Sequence, residues 1–247
     1  MINLKNKKEI EIMAQAGQKL ALIMEKLKQD IYIGKKTKEL NELFLKLVKK
    51  EKAEPAFLNY KGFPAAICVS VNEIIVHGLP SDYIIKNGDL IKLDIGLKYK
   101  GFYADMADTI GVGDITLKEL QLINATREAF KNSLRFLYDG NTLGDVGYAI
   151  ESTALKYGFS VADKLTGHGI GKNLHEEPQV LNTGTPNKGI KIKSGMVLAI
   201  EPMFILGCGE VVEQKDGSWK SKDNSKTAHF EHTVAILENG PIILTQY

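Results

Sequence analysis

Only two of the 247 residues are cysteine, Cys68 and Cys208. That count excludes a disulfide scaffold and a cysteine-ligated zinc site. Both lie in or beside apolar, strand-like stretches, and read as reduced thiols of a cytoplasmic protein. No apolar run reaches the roughly 20 residues that span a bilayer, and the charged N-terminus lacks the apolar core of a signal peptide. Neither sign of charge prevails, since 32 basic residues against 30 acidic ones leave a net charge of +2. No block of like charge suggests a nucleic-acid substrate or a membrane surface. The lysine-rich runs at Lys5–Lys8 and Lys49–Lys52 sit at helix ends and read as solvated. What remains is an ordinary soluble composition, 44% hydrophobic and 25% charged, with enough chain for a sizeable core.

Apolar residues from Glu9 to Leu27 recur at helical spacing, with Asn6 and Glu9 as a cap pair. A second stripe follows Thr37, and Pro55 breaks it. Residues 67–76 are strand-like with an interruption at Asn72-Glu73. A third helix opens at Thr116 with a capping-box pattern and is expected to run to about Leu137. A fourth opens at Thr142 and closes near Gly158. Strands are then expected over 159–165, near 196–204 and over 229–237, with a glycine-rich turn at 167–171 and a loop or exposed hairpin over 207–226. Two helices then strands, twice over, suggests duplication. The stretch 85–94 aligns without a gap on 192–201, setting Asp94 on Glu201. Halves of about 1–115 and 116–247 within one domain follow.

Residues 88–110 contain the first chemical signal. If the hairpin folds symmetrically about Tyr99-Lys100, Asp94 faces Asp105 directly. Two carboxylates so paired destabilise a sheet unless a cation sits between them. Acids and histidines in apolar surroundings complete the set: His77, Asp94, Asp105, His168, His175, Glu201 and Glu231. Four carboxylates and one imidazole suit two adjacent divalent ions, with Mn, Fe(II), Co or Zn all chemically compatible. Asp108, at odd spacing from Asp105, is expected on the opposite face and solvated. His229 and His232 flank Glu231 and are expected to point away from it.

The motifs around these residues carry a resemblance. Asn72-Glu73 with Val76-His77-Gly78, Leu93-Asp94-Ile95-Gly96, Ala104-Asp105, Gly167-His168-Gly169-Ile170-Gly171, His175-Glu176-Glu177-Pro178, Ile200-Glu201-Pro202-Met203 and Phe230-Glu231-His232-Thr233 follow one another in order. In these the chain resembles the type I, bacterial class of methionine aminopeptidases over essentially its whole length. The resemblance implies an α+β pita-bread fold, two related halves around a curved antiparallel sheet. It implies two divalent ions held by Asp94, Asp105, His168, Glu201 and Glu231, with Asp105 and Glu231 bridging. It further implies that a bridging hydroxide attacks the first peptide bond while Glu201 shuttles the proton. His77 and His175 would contact substrate, and Tyr60, Phe63, Cys68 and Trp219 would form the methionine pocket. The implied partner is a peptide or nascent chain beginning with Met and carrying a small second residue. Transient ribosome association and a monomeric state are expected with it.

Departures from that pattern lie at Leu165, Leu174 and Gly207-Cys208-Gly209, and bear on the pocket's shape rather than on the reaction. Two rival readings remain open. One is a proline-specific peptidase of the same fold, and the other a binding module that has lost its metals; all five expected ligands argue against the second.

Overall fold

The computed structural model describes residues 2–246. The first half of the chain supplies α1 (Lys7–Gln29), α2 (Thr37–Lys50), β1 (Glu54–Pro55), β2 (Ile67–Val71), β3 (Ile74–Val76), β4 (Leu90–Tyr99) and β5 (Phe102–Gly111). Next come α3 (Leu117–Ser133), α4 (Leu143–Lys156), β6 (Ser160–Val161), β7 (Thr166–Gly169), β8 (Glu176–Leu181), β9 (Val197–Ile200) and β10 (Met203–Ile205). The chain ends with β11 (Val211–Glu213), β12 (Trp219–Ser221), β13 (Thr227–His229), β14 (Glu231–Leu237) and β15 (Gly240–Ile243).

The helices start where the sequence places their caps. Asn6 and Glu9 close a reciprocal capping box on α1, and Thr116 and Glu119 close another on α3. Such boxes satisfy backbone N–H groups that a helix start leaves without partners. The third helix stops at Ser133, short of the expected Leu137, and continues as one 3₁₀ turn. Short helices such as α2 are held by what they bury. Leu40, Phe44 and Val48 are almost fully enclosed, each contributing on the order of 1.5–3 kcal/mol.

A nine-stranded sheet organises the molecule, in the order β1-β4-β5-β14-β9-β7-β8, with β2 also on β4 and β15 also on β14. All its pairings are antiparallel. Strand pleating sends alternate side chains to opposite faces. On the outer face, Ile91, Leu93, Ile95, Leu97, Ala104 and Met106 join the core beneath α1 and α2. Val180, Leu198, Ile200, Val234 and Ile236 join the core beneath α3 and α4. The inner face carries the acids. Two three-stranded sheets stand beside it, β13-β10-β6 and β11-β12-β3.

Two strand expectations change, and the expected hairpin is found in part. Gly167-His168-Gly169 is strand rather than turn, flanked by β8 and β9. Glycine permits this because a Cβ at Gly167 would lie 2.4 Å from the Ala199 carbonyl oxygen, and one at Gly169 would lie 2.3 Å from that of Glu177. Only Ser160-Val161 of the stretch 159–165 forms strand. The stretch 207–226 is a hairpin in part, and its second arm, β12, pairs with β3. In the aligned repeat, Gly88 and Gly195 adopt the same left-handed conformation, φ 88° and 91°.

Helix α1 meets the C-terminal segment at Gly17, where a Cβ would stand 2.2 Å from the Leu244 carbonyl oxygen. Gly17→Ala gains about 1 kcal/mol of helix propensity but overpacks a backbone contact, at a cost of about 1–3 kcal/mol. The substitution should therefore lower the urea unfolding midpoint. A raised midpoint would mean that the C-terminal segment yields freely.

Candidate metal centre

The β4–β5 hairpin turns at Lys100-Gly101, both with positive φ (49° and 84°), the requirement of the type I′ turn that suits hairpin twist. Tyr99 therefore pairs with Phe102, Gly96 with Asp105, and Asp94 with Ala107. Asp94 and Asp105 are diagonal neighbours, not the directly facing pair expected from symmetry about Tyr99-Lys100. The turn is centred one residue later, which shifts the register by two and leaves both acids on the same face. On the other side of β5, Ala107 pairs with Glu231 of β14. One alanine thus separates Asp94 from Glu231 across three strands. Thr233 fixes the neighbouring backbone: its hydroxyl donates to the Asp105 carbonyl at 2.8 Å and accepts from the Asp105 N–H at 3.0 Å.

The second half supplies the remaining groups. His168 pairs with Ala199 of β9, and Glu201 follows two residues after Ala199. His168 Nδ1 donates to the Gly169 carbonyl at 2.9 Å, which assigns the ring's lone pair to Nε2. That nitrogen stands 3.6 Å from Glu201 Oε1 and 3.9 Å from Asp105 Oδ2. Donor atoms bonded to one ion at about 2.0–2.2 Å lie at such separations. Asp94, Asp105, His168, Glu201 and Glu231 are all buried.

Buried polar atoms are nearly always hydrogen-bonded. Here Asp94 Oδ1, Asp105 Oδ1 and Glu231 Oε1 have no partner. Burial raises the pKa of Asp94, Asp105, Glu201 and Glu231, and the neighbouring carboxylates add to the shift for the first, second and fourth. Orphaned carboxylate oxygens beside an imidazole with a free lone pair match the donor set of hard or borderline divalent cations. The residues fit a metal centre.

Two expectations about neighbouring groups are corrected. Asp108 does lie on the opposite face, but it is buried rather than solvated. Lys28 of α1 meets it at 3.0 Å and Arg127 of α3 at 2.7 Å, so it ties the two helix layers together. His232 faces away from Glu231, as expected, and meets Thr245 Oγ1 at 2.9 Å. His229 does not. It is two residues before Glu231 and therefore shares its face. Its Nε2 lies 3.5 Å from Glu201 Oε2 and 3.9 Å from Glu231 Oε2, and neither ring nitrogen has a hydrogen-bond partner. Burial pushes its pKa down to about 4, which keeps the ring neutral. The two-residue spacing was the signal that could have found it.

A cavity of about 730 Å³ opens over these groups. His77, His175, Tyr60, Phe63, Cys68 and Trp219 all line it, as do Leu165 and Leu174. Cys68 lies across from Asp94 on β2, and burial holds its thiol protonated by pushing its pKa well up. His175 stands on the exposed rim, and partial desolvation, with the nearby His168 ring adding to it, lowers its pKa. The Tyr60 hydroxyl is 2.8 Å from His175 Nδ1. With that hydroxyl as donor, the neutral ring carries its proton on Nε2.

These pKa shifts fix a sign for stability. Unfolded carboxyls titrate near pH 4, whereas Asp94 and Glu201 are raised to about 7 in the folded chain. Their stabilising contribution is complete below about pH 4 and is lost as pH rises through about 7. Chelated protein should therefore give up this part of its stability over that window, and added Mn or Co should raise the melting temperature more at pH 7.5 than at pH 5. Calorimetry on chelated and metal-loaded protein checks this; an increment that does not grow with pH would contradict it.

The model of metallopeptidase family M24 matches residues 11–238. The chain is 43% identical to methionine aminopeptidase 1 of Bacillus subtilis over 248 aligned positions, covering the whole of both proteins. The crystal structure of a methionine aminopeptidase from Thermotoga maritima superposes with a TM-score of 0.98 at 41% identity, again over both whole chains. Prolidase from Pyrococcus furiosus superposes at 0.81 with 26% identity, over 99% of this chain and 65% of that one. With these the chain shares the pita-bread fold. It belongs to metallopeptidase family M24, within its methionine aminopeptidases.

Proposed function

We propose that the chain hydrolyses the first peptide bond of peptides and nascent proteins that begin with methionine and carry a small second residue. The observation that carries this reading is the set of buried, partnerless carboxylate oxygens around His168, under a cavity lined by Tyr60, Phe63, Cys68 and Trp219. Asp94, Asp105, His168, Glu201 and Glu231 would hold two divalent ions, with Mn, Fe(II), Co and Zn all compatible with the donor set. When bound, such ions supply Lewis acidity and lower the pKa of water toward neutrality.

The chain's own groups do the rest. Aromatic rings and a thiol form a soft apolar wall, to which a thioether side chain is well matched. Glu201, its pKa raised by burial, can take a proton from water near neutral pH and return it to the departing amine. His175, neutral and protonated on Nε2, donates to the carbonyl oxygen as negative charge builds there. His77 serves the peptide-nitrogen side. Nascent chains would meet such an enzyme as they emerge, so transient ribosome association in the cytoplasm belongs to the reading, as does action as a monomer.

Metal-loaded protein should cleave Met-Ala-Ser and spare Met-Leu-Ser, because a bulkier second residue changes discrimination by about 10–200-fold. Equal cleavage of Xaa-Pro dipeptides, with no preference for methionine, would favour the proline-specific alternative.

Asp105 stands beside Asp94, His168 and Glu231 at once. Asp105→Asn should abolish turnover and reduce bound metal measured by mass spectrometry. His175→Ala should retain metal while kcat falls by about 10²-fold or more, the usual cost of a lost transition-state donor. Loss of metal in the His175 variant would move that residue from the substrate to the ligand set.

A further inference from the structure

β8 is the last strand of the large sheet, laddered to β7 on one side alone. Among the described residues, 177–183 make no backbone hydrogen bond outside that ladder. The backbone of α4 at Gly147 lies against the Leu181 and Thr183 carbonyls, so the edge is open at Gln179 and closed from Leu181 on. The open part of such an edge can accept an extended peptide. Its side chains alternate strictly: Glu177, Gln179 and Leu181 are exposed, while Pro178 and Val180 are buried.

Cross-strand partners share a face. Gln179 pairs with His168 and Leu181 with Thr166, so both Gln179 and Leu181 stand on the face that carries the metal centre. Gln179 lines the active-site cavity. It also lines a second cavity of about 830 Å³, which continues past Leu181 to Ile190 and to Leu143 and Gly144 at the start of α4. Leu181 and Ile190 are 51% and 41% exposed, an apolar surface open to solvent among the described residues.

We propose that this groove binds the substrate beyond its second residue, as an extended peptide that leaves the cavity past Gln179 and crosses the exposed side chains of Leu181 and Ile190. The proposal rests on the peptidase reading above, since a peptidase that removes one terminal residue must lead the remaining chain out of its cavity. An extended strand advances about 3.3 Å per residue and repeats its facing every second residue. With the second residue at the metal centre, the third lies beside Gln179 and the fifth lies over Leu181 and Ile190. The occupant is thus a peptide with an apolar fifth residue. The rim carries both signs of charge, Glu151 and Glu177 against Lys188, so the apolar side chains of Leu181 and Ile190 select the residue there.

The test compares kcat/KM for Met-Ala-Ser, Met-Ala-Ser-Gly-Leu-Gly and Met-Ala-Ser-Gly-Asp-Gly on the metal-loaded full chain. The leucine hexapeptide should exceed both others by about tenfold, the order that one apolar side chain in a pocket provides. Leu181→Asp and, separately, Ile190→Asp should remove most of that advantage and leave the tripeptide unchanged; tripeptide turnover also reports that each variant folds. Leu181→Met should restore the advantage. Equal rates for the two hexapeptides in the unaltered chain would overturn the groove alone, and so would variants in which tripeptide and hexapeptide fall together. No turnover of any of the three would overturn the methionine reading and the groove with it.

Discussion

Four carboxylates buried on one face of one sheet repel one another, and the rest of the molecule is arranged around that repulsion. Two unit charges 4 Å apart cost about 4 kcal/mol at the effective dielectric near a protein surface, and more as water is excluded. Without a cation the group must take up protons, as the raised pKa values of Asp94, Asp105, Glu201 and Glu231 record. The outer face of the same strands holds the acids in place. Leu93 and Ile95 flank Asp94 in sequence and lie in the core under α1 and α2, while Leu198 and Ile200 lie under α3 and α4 just before Glu201. The apolar pattern thus fixes the direction of each acid through the pleat. Releasing the repulsion by turning a strand over would expose an entire hydrophobic set.

The space for ions comes from the smallest side chains. Asp105 pairs with Gly96, Asp94 and Glu231 both pair with Ala107, and His168 pairs with Ala199. Each candidate ligand on these strands therefore has a glycine or alanine beside it within the sheet. A larger residue at any of these positions would fill the floor of the cavity. At Gly96 that face is already filled, because a Cβ there would meet Phe57 Cε1 at 2.8 Å and Ala56 Cβ at 2.9 Å. Close packing around the small residues holds the donors apart without filling the space between them.

Much of this could be read from the residues. The helices announce themselves by capping boxes and apolar stripes. Acids placed inside apolar strands mark the centre, because Asp and Glu are poor choices there on any structural ground. The ladder register was less accessible. The acidic hairpin has two plausible turn centres, and only the conformation of Lys100-Gly101 selects between them. The strand through His168 was hidden for a related reason. Glycines usually mark a turn, whereas Gly167 and Gly169 are there for the close approach of the Ala199 and Glu177 carbonyls. Asp108 was hidden because its partners, Lys28 and Arg127, come from helices distant in sequence. His229 lay within reach, since spacing by two on a strand is among the simplest signals a sequence offers.

Floor and rim of the cavity are built differently, and this separates two properties of the enzyme. The floor ligands belong to the large sheet or directly adjoin it, with both cores packed behind them. The rim comes from short pieces. Tyr60 opens a 3₁₀ turn that contains Lys61 at φ 48°, between Asn59 at φ 64° and Gly62 at φ 86°. His77 follows β3 with φ 58°, a conformation costly for a residue with a side chain, and Val76 before it pairs with Trp219 of β12. Those strands form a small separate sheet in which three-residue segments carry the load. That sheet rests on a small core, where Ile75, Val76 and Val211 meet Ala162, Met203 and Ile205. Its shift would disrupt less buried surface than a shift of β4 or β14, which lie on the two large cores. Changes in the rim can therefore reshape the cavity while the buried acids and His168 keep their positions. Tyr60 couples the two regions, because its hydroxyl meets the ring of His175 while its own ring forms part of the wall. On the proposed reading, a change at Tyr60 would therefore act on both substrate selection and carbonyl polarisation.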